Sequence, residues 1–254
     1  MLKLFKRIRQ KLLDEGNLKK YSYYAFGEIL LVVIGILIAL QVNNLNEKRK
    51  TKTYESHILK DLIAGIEEDI ESINFNIENH TSAVNSCKVL LNVLNENGGY
   101  HDSLARHFAA THNYTKFMNN KGPYESLKSK GFETISNKEL RFQIINLNEK
   151  WYPLAKENDN DLTNDILHIK RNFNQTHFGK FQLFEIDSET FEFNGYKGEM
   201  IPNNISQLKN NVEYKYFLNS LLASHSNILS FYTLIKKMAE NVIEESNAEI
   251  QKLK

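Results

Sequence analysis

His101, His107 and His112 are the densest group of imidazoles in the chain, and imidazole is the commonest protein ligand for transition metals. A helical metal site uses two histidines one turn apart, which spacings of six and five do not supply. His101 and His112 share a helix face, but three turns separate them by about 16 Å, too far for one ion. All three are expected to be solvated or capping side chains. Asp165 and His168 stand three apart, half of the motif of a bundle di-iron site; that site needs a second Glu-x-x-His and two more glutamates, and the second copy is missing. Glu67, Glu68, Asp69 and Glu71 read as a solvated helix face. Cys87 is the only cysteine, so it has no intramolecular disulfide partner; it falls on an apolar seam that raises a thiol's pKa, and it reads as core. Arg141 could bind an anion or pair with Glu125, and the structural pair is the expectation. The G-x-S-x-G elbow, the G-x-x-x-x-G-K-[ST] loop and the G-x-G-x-x-G fingerprint are absent from the sequence. The reading is therefore not an enzyme, with no catalytic residue, cofactor or metal assigned.

The elements that would position these residues begin with an apolar run. Residues 21–42 read YSYYAFGEILLVVIGILIALQV with one charge, Glu28, close to the length of about 20 that spans a bilayer. Tyr21, Tyr23 and Tyr24 mark one interface, and the chain turns polar from Asn43 onward. Glu28 lies about one turn inside the tyrosines, where a carboxylate reaches the headgroups. A small-x-small cleavage site does not follow the apolar core, so the segment reads as an uncleaved signal anchor. The organisation expected is a basic cytoplasmic segment over 1–20, a transmembrane helix over 21–44 and a soluble helical domain over 45–254.

Charge is distributed in keeping with that division. Seven Lys or Arg against Asp14 and Glu15 give residues 1–20 a net +5, which leaves −4 on the rest of a chain whose total is +1. A mildly acidic body without a basic stripe argues against nucleic acid as a partner. Leu2, Phe5, Ile8 and Leu12 at helical spacing, with Lys3, Lys6, Arg7, Arg9 and Lys11 around them, suit a helix lying on an anionic membrane surface. The excess of cations before the span places the N-terminus in the cytoplasm and the body in the periplasm, at a bacterial inner membrane. Gly27, Gly35 and Ala39 share one face of the span, where small residues let two helices approach; homodimerisation is the expectation.

Beyond the span, Leu59, Ile63, Ile66, Ile70, Ile73, Ile77, His80, Val84, Cys87, Leu91 and Leu94 alternate at steps of four and three, a heptad seam of coiled-coil type ending at Asn97-Gly98-Gly99. A wider apolar face runs through Phe217, Leu218, Leu221, Leu222, Ile228, Leu229, Tyr232, Ile235, Ala239, Val242 and Ile243. The two helices are expected to pack antiparallel. Between them, Pro123 opens a helix and Gly131 stops it, Ser136 with Glu139 forms a capping box, the next helix should end near Pro153, and another covers about 154–173. Aromatics spaced by two at Phe181, Leu183, Phe191 and Phe193 suggest a short β-hairpin within 178–201. The fold class is mainly α, a transmembrane helix followed by a long-helix bundle.

Two stretches carry a resemblance. GEILLVVIGILIALQVNNLNEKRK (27–50) resembles the opening of an uncharacterised family of single-pass membrane proteins from Bacteroidota, a domain of unknown function. PYESLKSKGFETISNKELRFQI (123–144) is similar to that family's internal Tyr-Glu-Ser-Leu-Lys-Ser segment followed by Asn-x-x-Leu-Arg; Lys130 and Phe132 depart from its small and polar residues. The resemblance implies anchoring and a helical body and transfers no catalytic residue. The function expected is a scaffold, adaptor or accessory subunit of a cell-envelope assembly, in contact with the lipid bilayer and an unidentified envelope protein. The alternative is a periplasmic ligand-binding sensor working through a partner, which requires a polar pocket. A metal-dependent or hydrolytic enzyme is disfavoured.

Overall fold

The computed structural model of the chain describes residues 18–96, 99–182 and 198–253. The expected surface helix, with Lys3, Lys6, Arg7, Arg9 and Lys11, lies outside them, as do Asn97, Gly98, Leu183, Phe191 and Phe193. The chain divides into two compact units at Tyr54 and Glu55, each described separately below. One helix, α1 (Leu18–Asn95), supplies residues to both.

In the first unit α1 is long and apolar enough to cross a membrane. Its large apolar side chains over 29–40 are 44–67% exposed, so nothing among the described residues removes them from water. Gly27, Gly35 and Ala39 are exposed as well, and a Cβ added at Gly27 or Gly35 would meet no atom within 4 Å.

In the second unit the remainder of α1 is followed by α2 (Leu104–Ala110), a strap without regular secondary structure over 113–121, α3 (Gly122–Lys130) and α4 (Lys138–Asn146). Then come α5 (Tyr152–Ile169), the antiparallel strand pair β1 (Phe178–Gln182) and β2 (Glu199–Pro202), α6 (Ile205–Lys209) and α7 (Val212–Leu253). The expected hairpin is thus present as β1 and β2. The core is aliphatic and aromatic, with Leu59, Ile73, Leu90, Phe108, Leu127, Ile144, Leu218 and Ile235 fully buried. Each such side chain contributes about 1.5–3 kcal/mol by leaving water.

Helices α1 and α7 run antiparallel. His80 touches His225, while Glu55 and Glu249 hold the adjacent residues Ser136 and Asn137, so positions on α7 rise as those on α1 fall. The α1 seam is rotated from the expected heptad. Leu59, Ile66, Ile73, His80, Val84, Cys87, Leu91 and Leu94 are buried as expected, but Leu62, Asp69, Asn76, Ala83 and Leu90 complete the stripe, and Ile63, Ile70 and Ile77 are pushed to its half-buried flank. Polar Asp69 and Asn76 thus displace isoleucines from the centre, and the strap explains the first of them.

Two expected boundaries move. Pro123 does open α3, and Gly131 ends it at φ +98°, its N–H donating to the Leu127 carbonyl at 3.0 Å. Close approach of Pro123 to α1 needs Gly65, where a Cβ would sit 2.9 Å from the proline Cγ. However, Ser136 is not the cap of α4. Asn137 is, its Oδ1 accepting from the N–H groups of Glu139 and Leu140, while Ser136 donates both N–H and O–H to buried Glu55 at 2.7 and 2.8 Å. The helix does not stop at Pro153 either. A π-turn at Leu147–Trp151 joins α4 to α5, and the proline, which has no N–H to contribute, falls in the first turn of α5.

Candidate functional site

The strap lies across the bundle with little secondary structure to satisfy its backbone, and helix side chains do that instead. The Asn120 N–H donates to Asp69 Oδ1 (2.6 Å), Met118 N–H to Ser72 Oγ (3.3 Å) and Phe117 N–H to Asp159 Oδ2 (2.8 Å). Tyr232 of α7 donates its O–H to the same Asp159 oxygen at 2.7 Å. A buried N–H left without an acceptor costs about 1–3 kcal/mol, which is why carboxylates occupy seam positions on α1 and α5. Burial pushes Asp69 up to about 6, held back by the Asn120 N–H and the Tyr152 hydroxyl; Asp159 is raised for the same reason.

Next to this network lie three buried imidazoles. His80 Nδ1 and His225 Nδ1 are 2.9 Å apart, so one donates and the other accepts, and a proton on both is excluded at that contact. His80 also stacks on Tyr232 at 5.9 Å between centroids. His112, expected at the surface, is only 1% exposed and packs against Phe217. Burial, which strips hydration from the cation, pushes His80 down to about 3 and His112 and His225 to about 4. The three are neutral at ordinary pH.

The other marked residues are not brought together. His101 Nδ1 accepts from the Ser103 N–H before α2, and His107 bonds Ser86 of α1. Asp165 and His168 are exposed on α5. Among the described residues no group of three or more His, Cys, Asp or Glu is arranged to hold a metal ion. Cys87 is fully buried, its thiol pushed up to about 12. Arg141 makes no ion pair with Glu125. The carboxylate gripped by the Tyr-Glu-Ser-Leu-Lys segment is Glu149, whose Oε1 accepts from Tyr124 Oη (2.9 Å) and Lys128 Nζ (2.7 Å). Asp69 is correspondingly not part of a solvated face.

Strap, α3 and α5 together enclose a half-open polar cleft of about 460 Å³. Pro153, Lys156, Glu157, Asn160 and Asp161 present one face of α5 to it; Asn119 and Lys121 come from the strap, Tyr124, Glu125 and Lys128 from α3, and Tyr152 lines it too. Lys156 Nζ donates to Asn119 Oδ1 at 2.6 Å and lies 5.8 Å from the Phe117 ring centre. Its pKa is lowered, first by burial and then by the nearby Lys121 ammonium. Sequence reasoning missed this site, since its residues come from three elements. The one sign available was the face of α5, where polar residues recur at steps of three and four. Asp159 was legible in the same way, lying one turn from Ala155 and Leu162 at core spacing.

The cleft falls within the stretch where comparison with known proteins is informative. No curated protein and no solved structure matches the chain. A family model described as a family of unknown function (DUF6090) matches residues 28–182, from the apolar helix through the strap, the cleft and β1. The chain belongs to that family.

Proposed function

We propose that the protein is a single-pass module of the bacterial inner membrane, N-terminus in the cytoplasm, whose periplasmic body binds a small polar ligand and acts, without catalysis, through a partner. The observation that carries this reading is the cleft. Its volume lies within the usual range of about 300–1,000 Å³ for small-molecule sites, and lysine, carboxylate, amide and hydroxyl groups converge on it. The exposed apolar side chains over 29–40 support the anchor, because leaving them in water would cost about 25 cal/mol per Å².

The test is amide hydrogen exchange on the full chain in non-ionic detergent, against a panel of amino acids, dipeptides, sugars, nucleotides and inorganic phosphate. Protection of residues 119–128 and 153–161 by any member supports ligand binding. Protection by none directs the account to the second reading, a scaffold or accessory subunit acting by contact. That reading has its own observation: Phe142, 65% exposed, borders a shallow groove of about 220 Å³ with Trp151, Met238 and Val242. Topology is tested by alkaline phosphatase fused after Lys254, active in a periplasmic body and inactive in a cytoplasmic one.

A further inference from the structure

The charges of the cleft fall into three groups. Tyr124, Lys128 and Glu149 close on one another, with Glu125 beside them, and need no ligand. Lys121 and Lys156 act on each other, and the Asp69 carboxylate acts on Lys156 as well; yet among the described residues neither lysine makes an ion pair within 4 Å, and Lys156 donates its hydrogen bond to the neutral amide of Asn119. Glu157 and Asp161, one turn apart on α5, likewise pair with no cation among the described residues. Unmatched charges of both signs thus share one half-enclosed space, where the dielectric is lower than in water and opposite charges attract more strongly.

Resting on the ligand-binding reading, we infer that the cleft takes a zwitterion of dipeptide size, its carboxylate at Lys121 and Lys156 and its ammonium at Glu157 and Asp161. Spacing sets the size. Along the helix axis Lys156 is about 1.5 Å from Glu157 and about 7.5 Å from Asp161, so the outer carboxylate sets the span. Two extended residues span about 7 Å, whereas the two charges of a single amino acid are separated by one Cα. A singly charged ligand would satisfy one pair and leave the other as it is. Asn119 and Asn160, which also line the cleft, supply the amide donor and acceptor that a peptide bond requires.

Isothermal titration of the full chain in non-ionic detergent tests this with four free dipeptides (Ala-Ala, Leu-Leu, Ala-Lys, Ala-Glu), with their N-acetyl and C-terminal amide forms, and with glycine, glucose and inorganic phosphate. The expected result is binding of at least one free dipeptide, weakened at least tenfold by capping either end. Lys121 and Asp161 are exposed, so Lys121→Gln and Asp161→Asn leave the fold intact. Lys121→Gln should weaken the free dipeptide about tenfold and leave its C-terminal amide unchanged; Asp161→Asn should do the same for the free and N-acetyl forms. Equal binding of free and capped forms, or binding of phosphate or glucose but no dipeptide, overturns the zwitterion and leaves the ligand-binding reading standing. No protection or heat from any compound sinks both.

Discussion

The three buried imidazoles make the body sensitive to mild acid, and the size of the effect can be worked out. His80, His112 and His225 are held near 3, 4 and 4, while the same groups in the unfolded chain titrate near 6.5. Between those values the unfolded state binds protons that the folded state does not. Their contribution is therefore fully present above about pH 6.5 and is lost as pH falls toward 4. Each histidine costs about 0.7 kcal/mol between pH 7 and pH 6, about 2 kcal/mol for the three. Of the groups around them, the Lys170 ammonium and His225 itself further oppose a charge on His112, while the Phe108 carbonyl favours it. Tyr232 and Asp159 lie beyond His80. Asp69, raised to about 6, and Asp159 work in the opposite sense, because there the folded state binds the extra proton. Asp69 is already half protonated at pH 6 and so offsets roughly a few tenths of a kcal/mol of the loss between pH 7 and 6, a window that the three histidines dominate. Urea unfolding of the full chain in non-ionic detergent can be followed by Trp151, the only tryptophan, which packs against Phe231 of α7. The expected result is a loss of about 2 kcal/mol across that window, reduced by about one third in His225→Gln. Stability unchanged from pH 7 to 6, or the full loss in the variant, would refute the reasoning.

Three further outcomes follow from the packing. Gly65→Ala should gain about 1 kcal/mol of helix propensity yet lower stability overall by about 1–2 kcal/mol, since its Cβ would collide with Pro123; a raised urea midpoint would count against that contact. Asp159→Ala leaves the Phe117 N–H and the Tyr232 hydroxyl without their acceptor and should cost about 2–5 kcal/mol in the same assay, against about 1 kcal/mol for Tyr232→Phe; equal losses would contradict the shared acceptor. Seven residues along each helix from the His80–His225 contact, Cys87 falls opposite Leu218. Both positions are buried, so oxidative refolding from urea, which begins with the thiols exposed, should link Cys87 to Leu218→Cys within one chain and leave Ile243→Cys unlinked, the reverse being incompatible with antiparallel α1 and α7.

Periodicity made the long helices legible, because aliphatic side chains at steps of three and four are buried regardless of what covers them. It did not settle which of two overlapping stripes on α1 faces inward. Ile63, Ile70 and Ile77 are the more apolar choice, and Asp69 won its place because the strap's Asn120 N–H needs an acceptor, a demand set by a residue about 50 positions away; Asn76 bonds only its own helix, at the Ser72 carbonyl. Pro153 misled for a related reason: the π-turn before it changes which carbonyl each N–H meets. His112 and His225 gave no warning, since a lone histidine among apolar neighbours reads the same whether buried or not. Of the cleft, spacing showed only the polar face of α5 and not what lies opposite it. Its lysines and carboxylates are ordinary surface residues until the strap and α5 meet.

The central claim is that the first unit holds the body on a membrane, and alkaline carbonate extraction tests it most directly. The full chain should stay in the membrane pellet, and a chain starting at residue 47 should appear in the aqueous fraction. Release of the full chain by carbonate would contradict the claim.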